Sequence, residues 1–141
     1  MKNAIIAFLA VLTLFSCKTA KLPIETESIS LANLKGAWDW KKTTGGFAGV
    51  TITPETARYI LHLEFKDDEL LFFKNNEATR GYHFSLVKDK TIYSADSLYI
   101  IKPDNSENEI PLVVTKMVKD TIILADNVND GFSSTYVKRK N

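Results

Sequence analysis

From Asn33 onward the chain is divided into short apolar runs, rich in β-branched and aromatic residues, that recur every eight to twelve positions between turn-forming residues. No stretch sustains the apolar period of a helix. Leu34, Gly36, Trp38 and Trp40 share one strand face, with Ala37 and Asp39 on the other. Tyr59, Leu61, Leu63 and Phe65 then point one way and Ile60, His62 and Glu64 the opposite way. Asp67-Asp68 turns the chain into residues 69–74, and Asn75-Asn76 turns it again. Tyr82, Phe84 and Leu86 form the next apolar face, and Lys88-Asp89 the next turn. Residues 91–94 and 97–102, on either side of Ala95-Asp96, read either as a hairpin or as one bulged strand. Beyond a polar loop over 103–109, three more strands are expected over 110–118, 121–126 and 132–139, joined by Lys119-Asp120 and residues 127–131. Strands so close in sequence are hairpin-linked and antiparallel, which makes an up-and-down meander of about eight to ten strands. An open meander exposes two edges, and closure into a barrel removes both. The expected fold is therefore all-β, a closed antiparallel barrel.

The first seventeen residues follow a different rule. They carry one charge at Lys2, an apolar run from Ala4 through Leu14, and small residues near a cleavage point, the three parts of an export signal. The run is too short to span a bilayer. Its end, Leu14-Phe15-Ser16-Cys17, resembles the bacterial lipobox, which implies that the Cys17 thiol is acylated and the chain cut just before it. Cys17 is the sole cysteine, so it can make no internal disulfide, and acylation removes an otherwise unpaired thiol from an oxidising compartment. Two or more acyl chains anchor stably where one is marginal. Lys18-Thr19-Ala20-Lys21 follows without an acidic residue, which points to an outer-membrane position facing the periplasm. Residues 17–31 are polar, interrupted by Pro23, and read as a tether.

Cleavage before Cys17 takes sixteen of the 141 residues and leaves 125, the size of one domain, spanning 32–141 beyond the tether. It also removes Lys2, so 17 basic residues face 17 acidic ones in the remainder. A nucleic-acid partner would call for a basic face, and only the Lys138-Arg139-Lys140 tail offers one, so no nucleic acid is expected. Catalysis has little to draw on: there are two histidines and no G-x-S-x-G elbow. His62 and His83 are expected to face outward on strands separated by a third, too far apart to share a metal. The turns at 104–109 and 126–131 lack the pattern of a calcium loop, and Asp67-Asp68 with Glu69, which could suggest general acid-base work, are solvated acids at a hairpin tip, so no metal, cofactor or acid-base role is implied.

Leu34-Lys35-Gly36-Ala37-Trp38 contains the G-x-W sequence that opens the barrel of lipocalins, placed here on the first strand of a meander. Together with the lipobox, Gly45-Gly46, Thr53-Pro54-Glu55, Asp130-Gly131 and Tyr136, the chain resembles the small lipocalin-like lipoproteins of Bacteroidetes. That resemblance implies that Gly36 and Trp38 are structural, with Trp38 closing one barrel end beneath an arginine from the far end of the chain, for which Arg139 is the candidate. It also implies a loop over 43–56 that folds across the opposite mouth with Phe47 at its tip; a glycine-rich hairpin with bulges accounts for the same glycines. The second lipocalin motif, T-D-Y, is absent. Tyr136 and Arg139 have opposite parity on a regular strand, so either a bulge intervenes or only one of them points inward.

Two functions from different classes follow. Trp40, Phe47, Tyr59, Leu61, Leu63, Phe65, Tyr82 and Phe84 would line a cavity for a small hydrophobic ligand, making the chain a membrane-tethered, monomeric binding protein and not an enzyme. The same residues would instead fill a small barrel, whose outer surface then serves as a protein-interaction module of the cell envelope.

Overall fold

The computed structural model describes residues 29–105 and 108–140, so the expected export signal, the expected anchor at Cys17 and most of the expected tether lie outside the described residues. The elements run α1 (Leu31–Leu34), β1 (Gly36–Gly45), β2 (Val50–Ile52), α2 (Pro54–Ala57), β3 (Leu61–Lys66), β4 (Glu69–Lys74), β5 (Glu77–Thr91), β6 (Ser94–Pro103), β7 (Leu112–Val118), β8 (Thr121–Asp126) and β9 (Phe132–Lys138). Every neighbouring pair from β3 to β9 is antiparallel and consecutive, β3 lies on β1, and β9 returns to β1. The result is a closed eight-strand antiparallel barrel with β2 as one extra strand. β2 shares an edge of β1 with β3: β3 takes Gly36 through Asp39, and β2 takes Thr43 through Gly45. The single turn of α2 links the two, held by a reciprocal cap between Thr53 and Thr56.

Reversals fall at residues that tolerate the left-handed backbone region. Asn75 and Asn76 have φ of 52° and 68°, the pair of positive angles a tight two-residue hairpin needs, and Asp67 at 50° turns β3 into β4. Lys88-Asp89 is not a turn: β5 runs through it to Thr91 and the chain reverses at Ile92-Tyr93, past a register shift between Asp89 and Thr91. The polar residues there belong to a strand end, and polarity alone does not bend a chain. Ala95-Asp96 lies inside β6, so residues 77–103 form one long hairpin. Its tip turns out of line to reach the far side of the sheet, where Tyr93 Oη donates to Asp126 O at 2.6 Å. Ile100, Val113 and Ala125, in register across the outer face of β6, β7 and β8, are buried along this same side.

Alternation sends Trp38, Trp40, Leu63, Phe65, Leu70, Phe84, Ile101, Val114, Met117, Ile122, Leu124 and Tyr136 into a single interior cluster. Leu34 belongs to that cluster but not to β1. It ends α1, a one-turn helix whose Ser30 cap accepts from the Asn33 N–H, and it enters the interior from below the strand rather than along it.

Candidate functional site

The lower end of the barrel carries α1 and the β3–β4 and β7–β8 turns. Here the indole of Trp38 is fully buried, its Nε1–H donates to Leu34 O at 2.7 Å, and Leu34 closes the interior beneath it. The cation above this indole is not Arg139. Lys138 stands opposite Trp38 in the β1–β9 register, with Nζ 5.1 Å from the ring centroid and donating to Asn33 O at 2.8 Å. Arg139, one residue on, takes the outer face and pairs with Asp39 through Nε at 3.1 Å and through Nη2. No bulge interrupts β9 between Tyr136 and Lys138, so strict alternation keeps both of these inward and turns Arg139 out.

The upper end carries the β1–β2 hairpin, the β4–β5 turn and the loops after β6 and β8. Its inward-facing side chains are only partly covered. Trp40 is buried and stacks on Tyr59 at 6.0 Å, Phe72 leans on Tyr82 at 5.7 Å, and Leu61 completes the layer. Cations lie over this aromatic layer, with Lys74 Nζ 4.4 Å from the Tyr59 ring and the Arg80 guanidinium 4.0 Å from Phe72. Arg80 also pairs with Glu109, from the loop between β6 and β7, at 2.7 Å.

A line of polar groups runs down the β1–β9 side of the same space. The Trp40 indole N–H donates to Thr43 Oγ1 at 2.8 Å, and Thr43 Oγ1 shares a hydrogen bond of 2.7 Å with Ser134 Oγ. Below Ser134 stands Tyr136, whose hydroxyl burial pushes up to about 12, with the Ser134 hydroxyl drawing it back. Burial likewise raises Tyr82 above the usual phenol range. Both phenols are therefore neutral donors at physiological pH.

Of the residues expected to line a cavity, Leu63, Phe65 and Phe84 lie in the fully packed interior, with Phe65 and Phe84 edge to face at 5.8 Å. Trp40, Tyr59, Leu61 and Tyr82 come together at the upper end. Phe47 does not join them. It stands at the tip of the β1–β2 hairpin, 96% exposed, so the glycine-rich hairpin and not a lid accounts for this segment. Gly45 shows why: at φ 141° a Cβ would come within 2.3 Å of Gly131 O, so the glycines let the hairpin press against the β8–β9 loop. His62 also departs from expectation. It points outward from β3 yet is only 7% exposed, stacked face to face on Phe73 at 4.3 Å. His83 is exposed, 3.4 Å from Asp68.

The sequence reading did not include Phe72, Lys74, Arg80 and Glu109. Arg80 had a signal, since it shares the inward parity of Tyr82 and Phe84. Phe72 was hidden in the run Leu70-Leu71-Phe72-Phe73, where no alternation tells inside from outside. Among the described residues no three His, Cys, Asp or Glu side chains are grouped to hold a metal, and no helix is long and apolar enough to cross a membrane.

Comparison with family models, curated proteins and solved structures finds no match for this chain. The fold stands on its own geometry: a closed eight-strand antiparallel barrel, consistent with a lipocalin-like fold.

Proposed function

We propose that the chain is a membrane-anchored lipoprotein whose barrel binds or carries a small hydrophobic ligand at its upper end. The supporting observation is the partly covered layer of Tyr59, Leu61, Phe72 and Tyr82 above a sealed floor. Apolar surface left in water gains about 25 cal/mol for each Å² that a ligand covers. Lys74 and Arg80 put charge at the rim, where an amphipathic ligand keeps its polar end in water. The lipobox-like Leu14-Phe15-Ser16-Cys17 supplies the anchor, in the outer membrane facing the periplasm. Since the chain enters the barrel through α1, a tether from Cys17 joins the end opposite the mouth.

Titration with a fluorescent fatty acid tests this reading. Saturable one-to-one binding that Phe72→Glu weakens at least roughly tenfold is expected, and no binding by the native chain overturns it. Native mass spectrometry of protein purified from its own host then identifies what the barrel retains.

A second reading, an interaction module of the envelope, draws on the apolar residues outside the same rim. Phe47, Val50, Val128 and Phe132 are all exposed, and the hairpin bearing the first two adjoins the loop bearing the others. Loss of a co-purifying envelope protein on Phe47→Asp, with fatty-acid binding absent, would replace the first reading by this one.

A further inference from the structure

On the outside of the barrel the wall has a gap. β3 leaves β1 after Asp39 and β2 joins it only at Thr43, and within the gap Lys41 is bulged out of register with β9 as well. A cleft of about 290 Å³ opens there, its lining including Asp39, Lys41, Pro54, Ile60, His62 and Arg139. At about 30 Å³ per water it is several times larger than a single solvent molecule. Its charged lining is two cations against one carboxylate, and Arg139 already holds that carboxylate with one edge of its guanidinium. Lys41 makes no direct ion pair among the described residues, and Glu55 is the carboxylate that feels its charge.

His62 supplies a second, independent observation. The ring is more than nine-tenths buried, and its Nδ1 has no hydrogen-bond partner. Burial and the neighbouring Arg139 charge hold the imidazole neutral, against the opposing pull of Asp39 and Glu64. A neutral imidazole carries one proton, and placing it on Nδ1 would bury an unpaired donor. With the proton on Nε2, Nδ1 stays an unprotonated acceptor and Nε2–H is the donor His62 offers the cleft it lines. Stacking on Phe73 fixes the ring, so this donor is positioned before any ligand arrives.

We propose that this lateral cleft binds a small anion, a carboxylate or phosphate oxyanion carrying a short organic body. The Nε2–H of His62, the Lys41 ammonium and the outer edge of Arg139 receive the oxyanion; Ile60 and Pro54 receive the body. Of the residues lining the cleft, Trp40 and Leu61 also belong to the layer at the barrel mouth, whereas the polar residues Lys41, His62 and Arg139 do not, and these carry the proposal.

The test is imidazole nitrogen NMR of the full chain in detergent, where His62 reports the site and His83 serves as the internal control. Inorganic phosphate and butyrate are titrated as free anions, and bicelles containing phosphatidylglycerol present the same chemistry as a lipid headgroup. A saturable shift of the His62 signals with His83 still is expected in one arm, and that arm names the source of the anion. His62→Phe keeps the stack on Phe73 and should abolish binding, read then by isothermal titration calorimetry. Lys41→Met, at an exposed position, should weaken it roughly tenfold. No shift in any arm, equal shifts of both histidines, or unchanged binding by both variants overturns the proposal.

Discussion

At the lower end of the barrel Trp38 has lost all contact with solvent, whereas at the upper end Tyr59, Phe72 and Tyr82 keep part of their surface in water. The same strands build both ends, and both use cations over aromatic rings, yet the partners differ. Lys138 is tied to the carbonyl of Asn33, one residue from the Leu34 carbonyl that accepts from the Trp38 indole, and both bonds join α1 to the barrel. Arg80 is tied to a carboxylate on a loop, with its own side chain half exposed. A polar group paired with backbone in a dry site resists exchange; an exposed ion pair is worth about 0 to 1 kcal/mol and can open. The lower end is thus closed by buried contacts, while the upper end keeps the partly exposed aromatic surface on which the proposed ligand binding rests.

Trp38→Ala should be the most damaging change, costing about 3 to 5 kcal/mol, because it opens a cavity in the floor and leaves Leu34 O without its donor. Tyr59→Ala or Phe72→Ala should cost only about 1 to 2 kcal/mol, since less surface is recovered by water. Urea melts measure all three. Equal losses at the two ends would remove the distinction on which the functional reading rests.

Next in size is the coupling at the floor. A double-mutant cycle on Trp38 and Lys138 should return about 1 kcal/mol, as expected for a partly desolvated ammonium over an indole. The parallel cycle on Trp38 and Arg139 should return none, because Arg139 is engaged with Asp39 on the other face of the wall. At the rim, Arg80→Met should change stability by less than about 1 kcal/mol while altering fatty-acid affinity measurably.

Much of the fold was legible because its signals are local. β4 and β8 occupy 69–74 and 121–126 as their apolar runs and flanking turn residues indicate, and closure follows from the cost of exposed edges. What could not be read depended on one-residue parities and on long-range cover. A basic tail, Lys138-Arg139-Lys140, offers three cations, and only the register with Trp38 shows which one meets the indole. Lys88-Asp89 has the composition of a turn but sits where β5 runs on beside β6, and pairing with the neighbouring strand overrides local composition. Phe47 could be assigned to the mouth only by resemblance, since nothing local distinguishes a lid from a hairpin tip. His62 is outward by alternation, as expected; its burial is explained by Phe73 stacked on it across the strand pair, which a single sequence does not reveal.

The smallest effect concerns this histidine and tests whether the outer wall is as dry as the floor. Burial first, and then the Arg139 charge, lower the His62 pKa from its ordinary 6.5, while Asp39 and Glu64 act in the opposite direction. The unfolded chain therefore takes up a proton at a higher pH than the folded one. Stability from this group is present above the unfolded value and is lost as pH falls through the lower folded value. Urea melts between about pH 8 and pH 5 should show a decline in that window which His62→Phe reduces, because phenylalanine keeps the stack and has no proton to bind. His83→Phe, at an exposed site, serves as the control and should leave the decline in place. A profile in which the two variants behave alike would mean that His62 is solvated, and the outer wall would then resemble the mouth more than the floor.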